Sequence, residues 1–283
     1  MSAPARPCAR SAALSVLQTG DPVAKAARAL QTAEEWRQGR LASPRTDAPG
    51  PPDRPARAAR PELAPPGAMK RRRLGGAPGR IALLHAIAHI ELNAIDLAFD
   101  MVARFACDPL LAVADRAAFV SDWIGVGEDE ARHFILLNNR LSDYDAAYGD
   151  LPAHDGLWQA AEATADDWRA RLAVAPLVLE ARGLDVTPDM IAKLEAVGDS
   201  KSAAILGVIY REEIDHVAAG MRWFRYACAR SQVEAEYWFK HCVRERFNGA
   251  LKPPFNKNAR EIAGLPVEFY SDLTLAAPPI ADK

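Results

Sequence analysis

The strongest constraint on how this chain folds is a set of carboxylates standing where apolar residues belong. From about residue 79 to 106 the sequence has the period of a long helix. Leu84, Ile87, Ala88, Ala94, Ile95, Ala98 and Val102 share one face of it with Glu91. Glu91 is the single exception on that stripe. An unpaired carboxylate buried there costs several kcal/mol, so a compensating group is required. A second lone acid, Glu180, follows Ala173, Pro176 and Leu177 on the face of a later helical segment.

Two further acids come with a histidine. Glu130-Ala131-Arg132-His133 and Glu213-Ile214-Asp215-His216 are both E-x-x-H. With 16 Glu and six His in the chain, simple counting expects roughly a third of one such match. Each motif lies mid-way along a predicted helix, and at i and i+3 its Glu and His project from one face. Around the first motif that face holds Val126, Phe134 and Leu137. Around the second it holds Leu206, Ile209, Val217 and Phe224. Four helices therefore turn four carboxylates and two imidazoles inward. Two divalent cations carry a charge that matches four carboxylates. Di-iron and di-manganese bundles use this donor set, one Glu from each of two helices and Glu-x-x-His from each of the others. Glu91 precedes the first motif by 39 residues and Glu180 precedes the second by 33. Either interval accommodates two antiparallel helices and a short loop.

On these residues the chain resembles the ferritin-like di-iron carboxylate superfamily, which includes bacterioferritins, rubrerythrins and many oxygen-activating oxidases and hydroxylases. The stretches His85 to Glu91, Asp129 to Phe134 and Glu180 to Pro188 look like a family of ferritin-like proteins known only as a domain of unknown function. The resemblance covers about residues 79–248. It implies an all-α, ferritin-like four-helix bundle with a crossover connection, and two Fe ions, with Mn/Fe or Mn₂ as the variants that the same ligands accept. It assigns ligand roles to Glu91, Glu130, His133, Glu180, Glu213 and His216. By analogy, Glu130 and Glu213 bridge the two ions, Glu91 with His133 caps one, and Glu180 with His216 caps the other.

The rest of the chain reads as additions to this body. Residues 1–41 form an N-terminal helical arm, with Asp21-Pro22 as a cap and first-turn proline. Residues 42–78 hold nine of the 21 prolines and eight Lys or Arg against three acids, the composition of an extended, solvated linker. The run Lys70-Arg71-Arg72-Arg73 sits near its end. Within the body, helices are expected from Pro78 to about Ala106, from Asp115 to Leu141, from Asp155 to Arg182 with a kink or break at Pro176 and Gly183 as its stop, and from Ser200 to Arg230. Thr187-Pro188 would start a short helix. An extra helix covers about 233–247, and an irregular tail spans 249–283 with at most one turn near Asn258.

Composition removes several functions. The net charge of -2 gives no reason to expect nucleic acid as the main partner. One branch of related bundles hydroxylates modified tRNA, and the basic run suits phosphates, but the charge balance does not support that branch. No run approaches about 18 uninterrupted apolar residues, so no membrane-spanning helix is expected. Cys8, Cys107, Cys228 and Cys242 are far apart, which fits a reducing, cytoplasmic setting. The expected activity is that of an O₂-dependent oxidase or hydroxylase of a small organic substrate, with a homodimer as the candidate assembly. The alternatives are ferroxidase or peroxidase chemistry and a metal-stabilised scaffold without catalysis. The lack of a rubredoxin-type cysteine pair weighs against the first alternative. Around the ligands, Tyr210 and Arg182 are candidates for a supporting role. Asp129 and Asp215 are candidates for orienting an imidazole. His85 and His89 read as packing or hydrogen-bonding residues, because His89 is about 200° round the helix from Glu91.

Overall fold

The computed structural model describes residues 6–65, 73–247 and 250–274. Among them the protein is all-α, with three isolated bridges and no strand. The ten helices are α1 (Ala9–Leu17), α2 (Pro22–Arg37), α3 (Ala77–Asp100), α4 (Arg116–Ser142), α5 (Gly156–Glu162), α6 (Trp168–Val174), α7 (Ala181–Ala196), α8 (Ser200–Arg230), α9 (Ala235–Arg246) and α10 (Lys257–Ile262). α3 packs along α4, α7 along α8, and α4 crosses to α8. These contacts put the helices carrying Glu91, Glu130 and Glu213 side by side, with Glu180 at the threshold of α7. The apolar stripes read from the sequence form the core: Leu84, Ile95, Val102, Phe134, Leu137, Val217 and Phe224 are fully buried.

Two helices are wound into π-turns. α3 continues through Met101–Phe105 in that form, and α6 runs through Ala175–Glu180 before α7 begins. Pro176 accounts for the second, since it has no N–H for the helix ladder and its ring crowds the preceding turn. The expected single helix from Asp155 to Arg182 is thus three pieces, and its stop at Gly183 is overturned. Gly183, Thr187 and Pro188 all lie inside α7. Pro188 frees the carbonyl of Leu184, and Asn256 from the C-terminal segment donates its Nδ2 to that oxygen at 3.1 Å. The helix survives its proline because a side chain replaces the missing donor.

The flanking segments pack on this body. The N-terminal arm is two helices, broken at Thr19-Gly20 and restarted where the Asp21 carboxylate accepts from the Ala24 N–H at 2.8 Å. α1 lies against α3, and α2 lies against α4. The segment expected to be a solvated linker runs along the body: the Ala56 N–H bonds Leu17 O, Arg57 reaches Asn93, and the Trp158 indole N–H bonds Asp53 O. Of the basic run, Lys70 to Arg72 lie outside the described residues. The tail contains α10, whose start is capped by Asn256. By length and a mean hydropathy of 1.4, Ala77–Phe105 is the one described helix able to cross a membrane, and 67% of its most apolar stretch is buried inside the protein.

Glycine sets the closest approaches. A Cβ at Gly127 would lie 2.6 Å from the Phe99 ring, and one at Gly220 would lie 2.5 Å from Pro176 Cβ. α3 and α4 meet at the first, α8 and the proline π-turn at the second. The start of α8 is fixed by Asp199, which accepts from the Ser202 N–H, Arg140 Nη2 at 2.8 Å and the Tyr144 hydroxyl at 2.6 Å. Burial works against its ionisation, but these donors prevail and hold its pKa at about 2.

Two predictions follow from these contacts. Gly220→Ala destabilises the fold by about 1 to 3 kcal/mol in chemical unfolding, whereas Gly207→Ala, which meets only the tip of Arg211 at 3.6 Å, is neutral or slightly stabilising. The depressed Asp199 pKa adds stability above the ordinary aspartate pKa of 3.8, which is lost as pH falls from there towards about 2. Asp199→Asn should remove about 2 kcal/mol of that pH-dependent stability, read from unfolding curves at stepped pH.

Candidate metal centre

Each buried acid of α3 has a different kind of partner. Asp96 receives Lys25 Nζ at 2.5 Å and lies 3.2 Å from Arg57. Asp100 is gripped by Arg104 and by Arg171 Nη1 at 2.5 Å. These acids are matched by cations that the chain itself supplies. Glu91 has no Lys or Arg partner; its Oε2 lies 3.0 Å from His133 Nδ1.

Four of the six residues expected to be ligands form one cluster, with His216 beside it. One donor atom from each of Glu91, Glu130, His133 and Glu213 lies within 4.8 Å of all the others, and all four residues are buried. His216 Nδ1 is 3.0 Å from Glu130 Oε1 and 3.6 Å from Glu213 Oε2. Glu180 is half-buried, and the carboxylates of Glu213 and Glu130 and the His216 imidazole act directly on its charge. Glu130 is central, with both imidazoles beside it.

His133 Nδ1 bonds Glu91 Oε2 at 3.0 Å, but other donor atoms of the cluster crowd together without such a partner. Both oxygens of Glu130, Glu180 Oε2, Glu213 Oε2 and His216 Nδ1 are enclosed and lack a hydrogen-bond partner. Buried polar atoms are normally satisfied, and a group of five that are not calls for a missing partner that accepts lone pairs. A cation is such a partner.

The charges agree. Burial and the neighbouring Glu130 carboxylate hold Glu91 well above the usual carboxylate range; burial with Glu213 and Glu130 does the same to Glu180; burial with Glu130 raises Glu213. Glu130 goes the other way: burial opposes its ionisation, but the two imidazoles overcome it. Burial likewise opposes charge on His133, yet Glu130 and Glu91 raise it to about 11. His216 is also pushed well up, against burial, by Asp129, Glu130 and Glu213. Two protonated imidazoles cannot balance four carboxylates, so protons stay on the excess acids. Divalent cations would remove that need, since carboxylate oxygens with imidazole nitrogen suit such ions.

The outer nitrogens show a reciprocal arrangement. His133 Nε2 bonds Glu212 Oε2 at 2.6 Å, and His216 Nε2 bonds Asp129 Oδ2 at 3.3 Å. Each of these acids directly precedes the glutamate of the other E-x-x-H motif. A carboxylate on Nε2 makes that nitrogen the protonated one and leaves the Nδ1 lone pair facing the cluster. Arg132 ties the pair together by bonding Asp129 and Glu212. Asp129 was expected here; Asp215 is exposed and takes no part. Glu212 was missed, although the acid preceding both motifs was a readable signal.

The remaining candidates lie elsewhere. Tyr210 accepts from Asn256 Nδ2 at 2.9 Å, and Arg182 donates to Lys252 O and Pro254 O, so both hold the C-terminal segment. His85 accepts the Gly149 N–H, and His89 bonds the Tyr148 hydroxyl and His154 O. Burial lowers His89 to about 4, keeping it neutral.

Comparison with known proteins sets this site in context. The family model described as "Protein of unknown function (DUF455)" matches residues 18–271. The chain belongs to that family. An uncharacterized protein of Haemophilus influenzae is 38% identical over 205 residues, covering 72% of this chain and 71% of that protein. No solved structure matches the chain. The match extends beyond the carboxylate helices, taking in α2 but not α1, and most of the tail of this DUF455 chain.

If the outer acids set the imidazoles, Glu212→Gln and Asp129→Asn will each weaken retention of a bound metal by roughly 10- to 100-fold. Asp215→Asn will leave it unchanged. Competition with a coloured chelator measures all three, with circular dichroism as the check on folding.

Proposed function

We propose that this chain is a ferritin-like, two-metal carboxylate protein that carries out O₂-dependent oxidation or hydroxylation of a small organic substrate. The observation that carries the reading is the set of five enclosed, unpartnered donor atoms on Glu130, Glu180, Glu213 and His216. In this reading Glu91 and His133 hold one ion, Glu180 and His216 hold the other, and Glu130 and Glu213 lie between them. Iron is favoured over manganese by the resemblance of the motifs to di-iron proteins; the donor set itself accepts either ion. When bound, such ions supply a binding place for O₂ and the electrons to activate it.

The chain's own residues have separable tasks. Glu212 and Asp129 orient the imidazoles and fix their tautomers. Arg132 keeps those two acids from repelling one another. The apolar residues beside the ligands, among them Ala94, Ile95, Leu206 and Ile209, are buried and exclude water. A dry surround strengthens every charge interaction inside it.

The test begins with anaerobic purification and metal analysis after loading with Fe(II) or Mn(II). The expected result is about two ions per chain, lost in Glu130→Ala, whose folding is checked by circular dichroism. Fewer than about 0.2 ions per chain after loading would sink the reading. O₂ uptake then separates the chemistries. Repeated uptake on Fe(II) addition alone marks iron handling, whereas a single stoichiometric uptake, with turnover only when substrate is present (together with an added chemical reductant for hydroxylation), marks the proposed enzyme.

A further inference from the structure

We propose that a pocket beside the Pro176 π-turn binds a small organic carboxylate with an apolar chain. This rests on the reading above only in making that molecule the substrate. The pocket has a volume of about 230 Å³ and lies between the π-turn, α7 and the C-terminal segment. At about 30 Å³ per water-sized group, this is room for roughly eight non-hydrogen atoms.

The lining is divided by chemistry. Val178, Leu179, Phe247, Leu251 and Phe255 supply an apolar wall, and Arg182, Lys252 and Arg260 bring three cations against the single acid Asp185. Asp185 is fully engaged. Its Oδ1 accepts from the Asn256 N–H and from Arg260 Nε at 2.8 Å, and its Oδ2 accepts from Arg260 Nη2 at 2.7 Å. Positive charge is therefore left over.

Arg260 sharpens the argument. It is 2% exposed, with its guanidinium carbon 5.0 Å from the Phe255 ring centroid and 4.5 Å from that of Tyr270. Its Nη1 is enclosed with no acceptor. A buried guanidinium nitrogen without an acceptor is costly, and a ligand carboxylate supplies what it lacks. The polar end of the ligand is thus set by Arg260, Arg182 and Lys252, and its chain by the apolar wall. The location gives the site its meaning. Val178 and Leu179 directly precede Glu180 in the π-turn, so a molecule seated there lies against the backbone that carries a proposed metal ligand. The segment 250–260 lines one side of the pocket, and it is the same segment that Asn256 fastens to Tyr210 and Leu184.

Hexanoate, with eight non-hydrogen atoms, is the probe. Its binding to the metal-free full-length protein is measured by calorimetry and by ligand-observed NMR, which keeps this test independent of whether metal binds. The expected result is saturable binding about tenfold or more tighter than that of hexanol, from the charged hydrogen bonds, and tighter than that of acetate, which lacks the chain. Ala250→Phe, at a half-buried lining position, should abolish it by filling the space, and Lys252→Gln, at an exposed position, should weaken it with the fold intact. Equal binding of hexanoate and hexanol overturns the proposal, as does hexanoate binding unchanged in folded Ala250→Phe. Two ions per chain without hexanoate binding would retain the metal reading and discard this one.

Discussion

Repulsion among four inward carboxylates is the constraint around which the rest is arranged. The chain does not shy away from buried charge: Asp96 and Asp100 lie inside the same helix as Glu91, each with cationic partners. Among the described residues, no Lys or Arg pairs with the four glutamates of the cluster. Lys25 and Arg171 are themselves almost wholly buried, so the sequence is able to place a cation in the core where one is needed. Supplying none to Glu91, Glu130, Glu180 and Glu213 leaves the balance to something outside the chain. Breaking a buried pair by withholding one partner costs about 3 to 5 kcal/mol, and a core that tolerated such a deficit without an occupant would be hard to explain.

The positions of the acids were legible because a helix converts spacing into direction. Glu91 stood alone on an apolar stripe, and the E-x-x-H pairs put Glu and His on one face, so the cluster could be read before any contact was known. Three of the four long helices, and the capping role of Asp21 at the start of α2, follow from the same local rules. Glu212 was equally available, one residue before Glu213, but its role depends on which helix lies opposite, and periodicity does not reveal that.

What could not be read was where tertiary contact outweighs local preference. Gly183 and Thr187-Pro188 are sound helix-stop and helix-start signals, yet α7 runs through them because Asn256, more than sixty residues away, satisfies the carbonyl that Pro188 leaves open. The proline-rich segment looked solvated because its composition is that of a linker, whereas its backbone and Arg57 find partners on α1 and α3. The mate of Lys25 lies 71 residues away, beyond any pattern within one helix. Burial of a lysine on α2 would have looked like an error until Asp96 was placed against it.

The two proline sites divide the labour along one stretch of chain. Pro176 winds α6 into a π-turn, and Gly220 lets α8 approach that turn with no side chain between them. An extra residue per turn rotates everything after it, so Glu180 enters the cluster from a turn re-aimed by the proline. Eight residues on, Pro188 opens a carbonyl that binds the returning C-terminal segment. The first proline presents a carboxylate to the core, and the second fastens the segment whose Lys252 and Arg260 stand over that same turn. Chemistry on a small molecule needs both a reactive centre and a place to hold the molecule beside it. Under the proposed function, Glu180 and the pocket-lining Val178 and Leu179 would serve these two needs from one distorted turn.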